Sequence, residues 1–272
     1  MTSMANAVQD YARALALRSP DHYRVGPFTV RHNPGWELKY ANYAIPDRDA
    51  EPTADQVAAL VDAFGKHERL PRLEFLPAWA PAVEPALLAA GFTVENRAPL
   101  LACGREDLRP PKPVDGLRIG TPVTGAEFTE AARVQHHGFG GEGEPEPGMT
   151  DWLRAAATGD GVAALAVLDG APAGAGGCSA AIDGLSELAG LAVAARHRRR
   201  GVGAALSAWL TERAFGQGCR AVWLEPGDPG VGRVYAGIGY RRIGEKVNIS
   251  LEPKPDPKPG SGPTPKPGPE TV

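Results

Sequence analysis

The sequence predicts an α/β protein in which helices pack on mixed sheets. Apolar residues recur every three or four positions in some segments, as in a helix with one buried face, and run together in others, as in strands. Asp169 with Gly170, and Asp183 with Gly184, each join two strand-like segments, and Asp-Gly strongly favours a tight hairpin turn. Hairpins make antiparallel strand pairs, whereas strand-helix-strand units make parallel ones, so an α+β mixed sheet is expected.

The composition bounds the size and the partners of the protein. Its 272 residues suffice for one large domain or two of ordinary size, and 43% of them are apolar, which is enough for a substantial core. The formal net charge of -3 at pH 7 creates no field that would attract nucleic acid or an anionic membrane. We therefore predict neither nucleic acid nor a membrane as a partner.

The N-terminus and the cysteines predict a cytoplasmic protein without metal or disulfide. A secretory signal begins with Lys or Arg, but residues 1–11 contain neither. No segment approaches the roughly 20 consecutive apolar residues that span a bilayer. The three cysteines, Cys103, Cys178 and Cys219, are far apart and form no CxxC pair. We expect buried reduced thiols, and neither a disulfide framework nor a zinc site.

Two Pro-rich segments divide the chain. Residues 109–113 (RPPKP) separate two stretches of mixed helical and strand periodicity, and residues 252–272 are rich in Pro, Gly and Lys with almost nothing apolar to bury. We predict an N-terminal domain at 1–113, a second domain at 114–251 and a disordered tail at 252–272.

The second domain is predicted to begin with a strand, a helix and a three-stranded meander. The strand is expected at 116–120 and the helix at 124–136. Residues 162–168 form a continuous apolar run, and the two Asp-Gly turns then separate successive strands, the last of which covers 187–193.

An amphipathic helix is expected next, ending at Gly216. Its predicted buried face holds Val202, Ala205, Leu206, Trp209, Leu210 and Ala214. Its predicted exposed face holds Ser207, Thr211, Glu212 and Arg213. A strand at 221–224, a short helix that begins at Asp228 and Pro229 and reaches Ile238, and a final strand at 247–251 complete the domain.

The N-terminal domain repeats part of this order. A strand is expected at 36–45, a helix at 53–66 with a capping box formed by Thr53 and Gln56, a strand at 72–76, a helix at 83–90 and a strand from residue 92. The order strand, helix, strand, helix, strand therefore occurs twice, which indicates an internal duplication.

The most informative segment is 191–203 (LAVAARHRRRGVG), which leads from a strand into the amphipathic helix. A helix N-terminus presents unpaired amides and a partial positive charge, which together suit a pyrophosphate. Gly201 and Gly203 would let phosphates approach the backbone closely, and Arg198, Arg199 and Arg200 add charge and fork-shaped donors. We therefore predict a phosphate-binding loop at this turn.

Other glycine motifs and a basic surface patch fit this segment less well. A dinucleotide fingerprint needs a small residue where Leu206 stands, and the Gly-Lys-Ser/Thr of a P-loop is absent. A basic surface patch that binds nucleic acid is the alternative interpretation. The arginines, however, lie directly before a helix start, in a chain of net negative charge without another basic cluster, which favours the phosphate loop.

At these residues the sequence resembles the GNAT acetyltransferase superfamily, over roughly 117–251. The acetyl-CoA motif of that family, Arg/Gln-x-x-Gly-x-Gly/Ala, matches Arg198, Gly201 and Gly203. Its later pattern, an Asn-led helix with Tyr and then Gly-Phe, is similar to Asp228, Tyr235, Gly239 and Tyr240. The sequence departs from the family pattern with Asp228 in place of Asn, Ala195 in place of Pro, and helix-weakening Gly230, Gly232 and Gly237.

The resemblance implies a GNAT fold in two GNAT-like halves and acetyl-CoA as the cosubstrate, with no metal. The implied coenzyme-binding residues are Leu191, Ala192, Val193, Arg198, Arg199, Arg200, Gly201, Val202, Gly203, Ala204 and Asp228. A primary amine of the acceptor would attack the thioester directly, with Tyr235 as general acid and Glu187 as the base. A core tyrosine and an ordinary strand-end glutamate are the alternative interpretations of these two side chains.

The N-terminal half resembles a degenerate copy. Its strand-to-helix segment, 46–52 (PDRDAEP), is acidic and has no GxG, and Leu87 stands where a tyrosine would be expected. We expect this half to complete or cover the acceptor site rather than to hold coenzyme A.

Two other functions stay open at the level of sequence. A non-catalytic acyl-CoA-binding module would share the phosphate loop, and a nucleic-acid binder would use the arginines without coenzyme A. Small molecules, antibiotics, peptide N-termini and lysines all stay open as acceptors. The oligomeric state cannot be read from the residues, so a homodimer stays open as well.

Overall fold

The computed structural model describes residues 3–19, 21–227 and 230–252, and these residues build one sheet with helices on its faces. The strands are β1 Tyr23–Val25, β2 Phe28–Arg31, β3 Tyr43–Pro46, β4 Arg72–Phe75, β5 Thr93–Gly104, β6 Leu117–Gly120, β7 Val162–Leu168, β8 Ala171–Cys178, β9 Leu185–Val193, β10 Ala221–Leu224 and β11 Arg241–Ser250. The helices are α1 Met4–Arg18, α2 Ala54–Lys66, α3 Val83–Ala89, α4 Gly125–Gly138, α5 Pro147–Thr158, α6 Val202–Gly216 and α7 Gly232–Gly237.

The sheet is mixed, as the sequence predicts, and has 11 strands in the order β1-β2-β3-β4-β11-β5-β10-β9-β8-β7-β6. The pairs β3–β4 and β9–β10 are parallel, and the others are antiparallel. Each parallel pair is joined through a helix, α2 in the first case and α6 in the second.

The two halves of the chain exchange their last strands. β11 lies between β4 and β5 of the first half, and β5 pairs with β10 of the second half. Read from the edge strand β1 and from β7, which lies next to the edge strand β6, the runs β1-β2-β3-β4-β11 and β7-β8-β9-β10-β5 have the same sequence of antiparallel and parallel pairs. The repeated order of elements is thus also a repeated order in space, while the proposed domain limits at 113 and 251 stay predictions.

Both Asp-Gly turns adopt the predicted conformation. Asp169 and Gly170 have φ of 53° and 83°, and Asp183 and Gly184 have φ of 48° and 72°. Two successive left-handed residues make the type I′ turn, whose twist matches that of the paired strands. These turns produce the β7-β8-β9 meander.

The prediction of a strand over 36–45 is wrong for most of its length. Only β3 is a strand, and Lys39–Ala41 form a 3-10 turn. The side chain of Asn42 accepts a hydrogen bond from the amide of Asn33 and donates to the carbonyls of Trp36 and Leu38, so this segment curls on a side chain instead of joining the sheet. Four elements have no counterpart in the sequence prediction: α1, β1, β2 and α5. The short helix predicted from Asp228 is α7, which begins only at Gly232.

The predicted exposed face of α6 is also partly wrong. Ser207 and Thr211 are fully buried, although both are polar. Their hydroxyls donate to the carbonyls of Gly203 and Ser207, four residues earlier, and Thr211 Oγ1 also lies 2.6 Å from the Tyr240 hydroxyl. Because these hydroxyls have partners inside the protein, polar residues are accommodated on a buried helix face.

Helices cover both faces of the sheet and bury two main clusters. α1, α2 and α3 pack on the first half, and α6 packs with β7, β10 and α7 in the second. The three cysteines are buried and free, as predicted. Within the described residues, no helix combines the length and apolar character that a membrane span requires.

Candidate active site

The parallel pair β9–β10 opens at one end. The last paired residues are Glu187 and Trp223, although β9 continues to Val193 and β10 ends at Leu224. Beyond Glu187, β9 has no neighbouring strand on that side within the described part of the chain. The gap exposes a strand edge that an extended ligand could follow.

A bulge in β9 lies inside this gap. The pairing with β8 shifts between Ala189 and Ala192, and Gly190 has a φ of 62°, which glycine adopts without strain. The side-chain amide of Gln135, from α4, donates to the Gly190 carbonyl at 2.6 Å. The bulge, held by this bond, bends β9 away from β10.

The predicted phosphate loop joins the end of β9 to α6. Arg199 has a φ of 62°, and Gly201, the N-cap of α6, has a φ of 86° and no side chain that could accept from the helix amides. The amides of Val202, Gly203 and Ala204 therefore stay open for an anion. A Cβ atom added at Gly203 would meet only Val193 Cγ2, at 3.6 Å, so the surface above Gly203 is accessible.

The three arginines of the loop have different surroundings. Arg198 donates from Nε to the Val193 carbonyl at 3.2 Å and from its terminal nitrogen to the Gly138 carbonyl at 2.8 Å. Arg200 pairs with Asp169 at 3.2 Å on the surface. Arg199 is exposed and has no hydrogen-bond partner among the described residues. Arg198 thus holds the loop together, and a direct role of each arginine in coenzyme binding stays a prediction.

The corresponding turn of the first half is closed by its own side chains. Thr53 and Gln56 form the predicted capping box, so two amides at the N-terminus of α2 already have acceptors. The Trp79 indole donates to the Pro46 carbonyl at 3.2 Å, and the Arg48 guanidinium lies 4.0 Å from the centre of that ring. An anion at these amides would have to displace the Thr53 and Gln56 side chains, which agrees with a degenerate copy.

Tyr235 lies on α7, where it is 6% exposed. Its ring meets that of Tyr240 edge to face, with centroids 5.7 Å apart. Its hydroxyl has no hydrogen-bond partner among the described residues, whereas the Tyr240 hydroxyl bonds to Thr211. Burial raises the pKa of Tyr235 to about 12. Asp228, predicted to start this helix, lies outside the described residues.

Glu187 stands where the gap begins, and its side chain is partly exposed. It lines a cavity of about 20 Å³, enough for one water molecule, with Tyr43 and Glu74 of the first half and Trp223 and Lys246 of the second. Burial raises the pKa of Glu187 to about 7, with help from Glu74 and against the charge of Lys246.

Apart from Arg31 of β2, the charged neighbours of Glu187 are paired with one another. Lys246 lies 2.6 Å from Glu74 and 2.5 Å from Glu225, and Arg72 contacts both Glu74 and Glu95. Burial alone would raise the pKa of Glu74, but Lys246 and Arg72 lower it to about 2. Glu74 is therefore ionised at neutral pH, while Glu187 is poised to exchange a proton there.

Sequence reasoning missed these neighbours. Arg72, Glu74 and Lys246 alternate with apolar residues in β4 and β11, a pattern typical of a strand with one solvated face. Only the strand exchange, which places β11 beside β4 and brings both near β9, turns that face into the floor of the site.

Residues 127–240 match the model of the acetyltransferase (GNAT) family. Comparison of the sequence with curated proteins gave no match. The family match includes β9, the predicted phosphate loop, α6 and Tyr235.

Solved structures extend the likeness to the whole chain. A GCN5-related N-acetyltransferase from Kribbella flavida superposes with a TM-score of 0.77 at 24% identity, covering 93% of this chain and 98% of that one. A second, from Sphaerobacter thermophilus, has a TM-score of 0.58 at 16% identity, covering 85% of this chain and 78% of that one.

A tandem GNAT protein from the clavulanic acid biosynthesis pathway is similar in fold as well. It has a TM-score of 0.58 at 14% identity, and the alignment covers 91% of this chain and 89% of that one. Residues 127–240 therefore resemble the acetyltransferase (GNAT) family, and the chain as a whole has the fold of GNAT proteins, with two similar halves.

Proposed function

We propose that this protein is an acyltransferase that moves the acetyl group of acetyl-CoA to a primary amine by direct attack. The observation that carries the proposal is that one strand, β9, joins the open amides of α6 to Glu187 along an unpaired edge. From Val193 to Glu187 this edge extends for about 20 Å, at about 3.3 Å per residue. A pyrophosphate at the α6 amides would let the extended arm of the coenzyme follow β9 toward Glu187.

The residues of the loop fit the diphosphate of a coenzyme. The α6 amides have no acceptor of their own, and Gly203 leaves room for phosphate oxygens. We propose Leu191, Ala192 and Val193 as the edge that contacts the pantetheine arm. Arg199 and Arg200 are exposed beside the loop and would add favourable charge, while Arg198 orders the backbone.

In the proposed reaction the acceptor nitrogen forms a bond to the thioester carbon, and the carbon–sulfur bond breaks. Bound acetyl-CoA supplies the electrophilic carbonyl carbon and the thiolate leaving group. Glu187 takes a proton from the amine, directly or through a water molecule, and a proton delivered to the sulfur completes the free thiol. A carboxyl with a pKa of about 7 is half ionised at neutral pH, which suits a base at that pH.

Tyr235 would act by donating a hydrogen bond to the sulfur as its charge develops. Full proton transfer from a phenol with a pKa of about 12 to a thiolate of pKa about 8.5 is uphill by roughly 3.5 units, or about 5 kcal/mol. A hydrogen bond in a buried position stabilises the thiolate without that cost. The proton that finally reaches the sulfur would then come from solvent.

The first half of the chain would complete the acceptor site. Tyr43 and Glu74 line the same cavity as Glu187, and Val8, Gln9 and Ala12 of α1 cover it. In this proposal residues 1–113 shape the side of the site from which the amine approaches, and residues 114–251 hold the coenzyme.

Thiol release tests the proposal directly. Purified protein is mixed with acetyl-CoA and a panel of primary amines, and free coenzyme A is followed against a blank without amine. We expect amine-dependent thiol release and an N-acetylated product. Coenzyme A binding in calorimetry without turnover of any amine would contradict the enzyme and favour a binding module.

Loss of acetyl-CoA binding in the Gly203→Glu variant serves as the site control. Tight binding of nucleic acid with steep salt dependence, together with indifference to coenzyme A, would contradict the loop assignment itself.

A further inference from the structure

One cation near Glu187 lacks an anionic partner. Arg31, at the end of β2, donates one hydrogen bond, from a terminal nitrogen to the Tyr43 hydroxyl at 3.3 Å, and its guanidinium lies 5.6 Å from the centre of that ring. The nearby cations Arg72, Lys39 and Lys246 each pair with a glutamate. Among the described residues of this cluster, Arg31 alone forms no ion pair.

An arginine in this state has unused capacity for binding. Its guanidinium carries five N–H donors, arranged as a fork that matches a carboxylate with two parallel hydrogen bonds. The side chain is partly buried, so water satisfies its donors less completely than on an open surface. A ligand carboxylate would supply the missing charge and acceptors together.

Arg31 lies on the acceptor side of Glu187. Side chains alternate along β9 and β10: Leu188 and Val222 pack in the cluster of α6, whereas Trp223, which pairs with Glu187, meets Tyr11 of α1 edge to face at 5.7 Å. Tyr43, the partner of Arg31, lines the same cavity as Glu187. Arg31 and Glu187 are therefore on the face opposite the coenzyme helix, and both are partly exposed.

We infer that the acceptor is a primary amine that also carries a carboxylate, as an amino acid does. This inference rests on the proposed function. The carboxylate would pair with Arg31 and the amine would face Glu187, so that one ligand bridges the N-terminal half and the catalytic half. A polyamine or another purely cationic amine would instead meet the uncompensated charge of Arg31.

The competing explanation is that Arg31 only tunes Glu187. The two charges are close enough to interact, and Arg31 favours the ionised form of that carboxyl. In that case substitution of Arg31 would shift the pH profile of kcat/KM in the same way for every amine and would lower kcat/KM for all of them by the same factor. Carboxylate recognition, by contrast, would affect only acceptors that carry the acid group.

The test compares L-amino acids with the corresponding L-amino acid amides, which keep the amine and lose the acid. We expect kcat/KM to favour the acids, and Arg31→Gln to lower kcat/KM for the acids about 30-fold or more, mainly through KM, because a charge pair loses one partner. The amides should change less than about 3-fold. Arg31→Lys should restore part of the loss, since it keeps the charge without the fork.

Arg24→Gln is the matched control, because Arg24 lies on the neighbouring strand β1 and is already paired with Asp47 at 2.6 Å. It should leave the preference for acids unchanged. Thermal melting of each variant shows whether the fold is kept.

Two results would overturn the inference without contradicting the proposed acetyltransferase activity. One is a higher kcat/KM for the amides than for the acids, and the other is an equal loss of kcat/KM for both in Arg31→Gln. Absence of turnover with every amine, in protein that binds coenzyme A, would instead refute the proposed function and this inference with it.

Discussion

The Nε atom of Arg198 donates a hydrogen bond to the carbonyl oxygen of Val193, 3.2 Å away. This bond closes the turn between the end of β9 and the N-terminus of α6. A second bond, to the Gly138 carbonyl at 2.8 Å, ties the same turn to the end of α4. Arg198, the arginine of the acetyl-CoA motif, therefore also fixes the backbone that presents the α6 amides.

Removal of Arg198 should loosen the loop. We expect Arg198→Met to raise the KM for acetyl-CoA about 10-fold or more and to lower the free energy of unfolding by about 1 kcal/mol, because two hydrogen bonds from a charged group are lost. Arg200→Met is the control, since its surface pair with Asp169 contributes little to stability. Equal effects on unfolding in both variants would contradict the structural role of Arg198.

A negative charge on the first turn of α6 should block the coenzyme without harming the helix. The Cβ of a residue at Gly203 fits, and a glutamate near a helix N-terminus is itself favourable. We expect Gly203→Glu to raise the KM for acetyl-CoA at least about 100-fold, the cost of a like charge at a phosphate site, with an unchanged melting temperature. Gly203→Ala should stay close to the parent protein. An unchanged KM in Gly203→Glu would rule out this loop as the diphosphate site.

Loss of the Tyr235 hydroxyl should slow the reaction with little effect on binding. Tyr235→Phe keeps the ring packed against Tyr240 and removes only the donor. We expect kcat to fall about 10- to 100-fold while the KM for acetyl-CoA stays within about 3-fold. Tyr240→Phe is the matched variant: it breaks the bond to Thr211 and should lower stability more than kcat. A normal kcat in Tyr235→Phe would make Tyr235 a core residue.

The rate should rise with pH through the titration of Glu187. The ionised fraction of Glu187 increases as the pH rises through about 7. We therefore expect kcat/KM for the amine to increase with pH up to about 7 and to become constant above it. In Glu187→Gln this limb should disappear and kcat/KM at pH 8 should drop about 100-fold. Glu245→Gln, on the surface of β11, should keep the profile. A limb that persists in Glu187→Gln would assign the base to another group.

The same carboxyl should lower stability at high pH. Its pKa in the folded protein, about 7, lies above the ordinary 4.5, so the fold favours the protonated form. This contribution is full below pH 4.5 and is lost as the pH rises through 7. Glu187→Gln should therefore be more stable than the parent by about 1–3 kcal/mol at pH 8 and little different at pH 4.5. Urea unfolding at both pH values measures this difference, and a destabilised variant at pH 8 would argue for a needed ion pair instead.

Local signals predicted most of the second half. Residues 162–168 form β7 as expected, and the residues of both Asp-Gly turns have left-handed backbone angles. α6 begins directly after the loop that contains the arginines and Gly201. These features depend on neighbouring residues, such as the φ preference of glycine, and can be read without knowledge of the fold. The prediction failed where side chains compete with the backbone, as at Asn42, which curls the segment before β3.

Local patterns in the sequence account for the mixed α/β class, the duplicated order of elements, the open amides of the α6 N-terminus and the closed ones of α2. Each of these properties follows from periodicity, turn chemistry or capping over a few residues. The set of charges around Glu187, by contrast, depends on how the strands are arranged in the folded protein. Arg31, Glu74 and Lys246 are far from it along the chain, and the exchange of β5 and β11 brings them together, because strand pairing depends on contacts between distant segments.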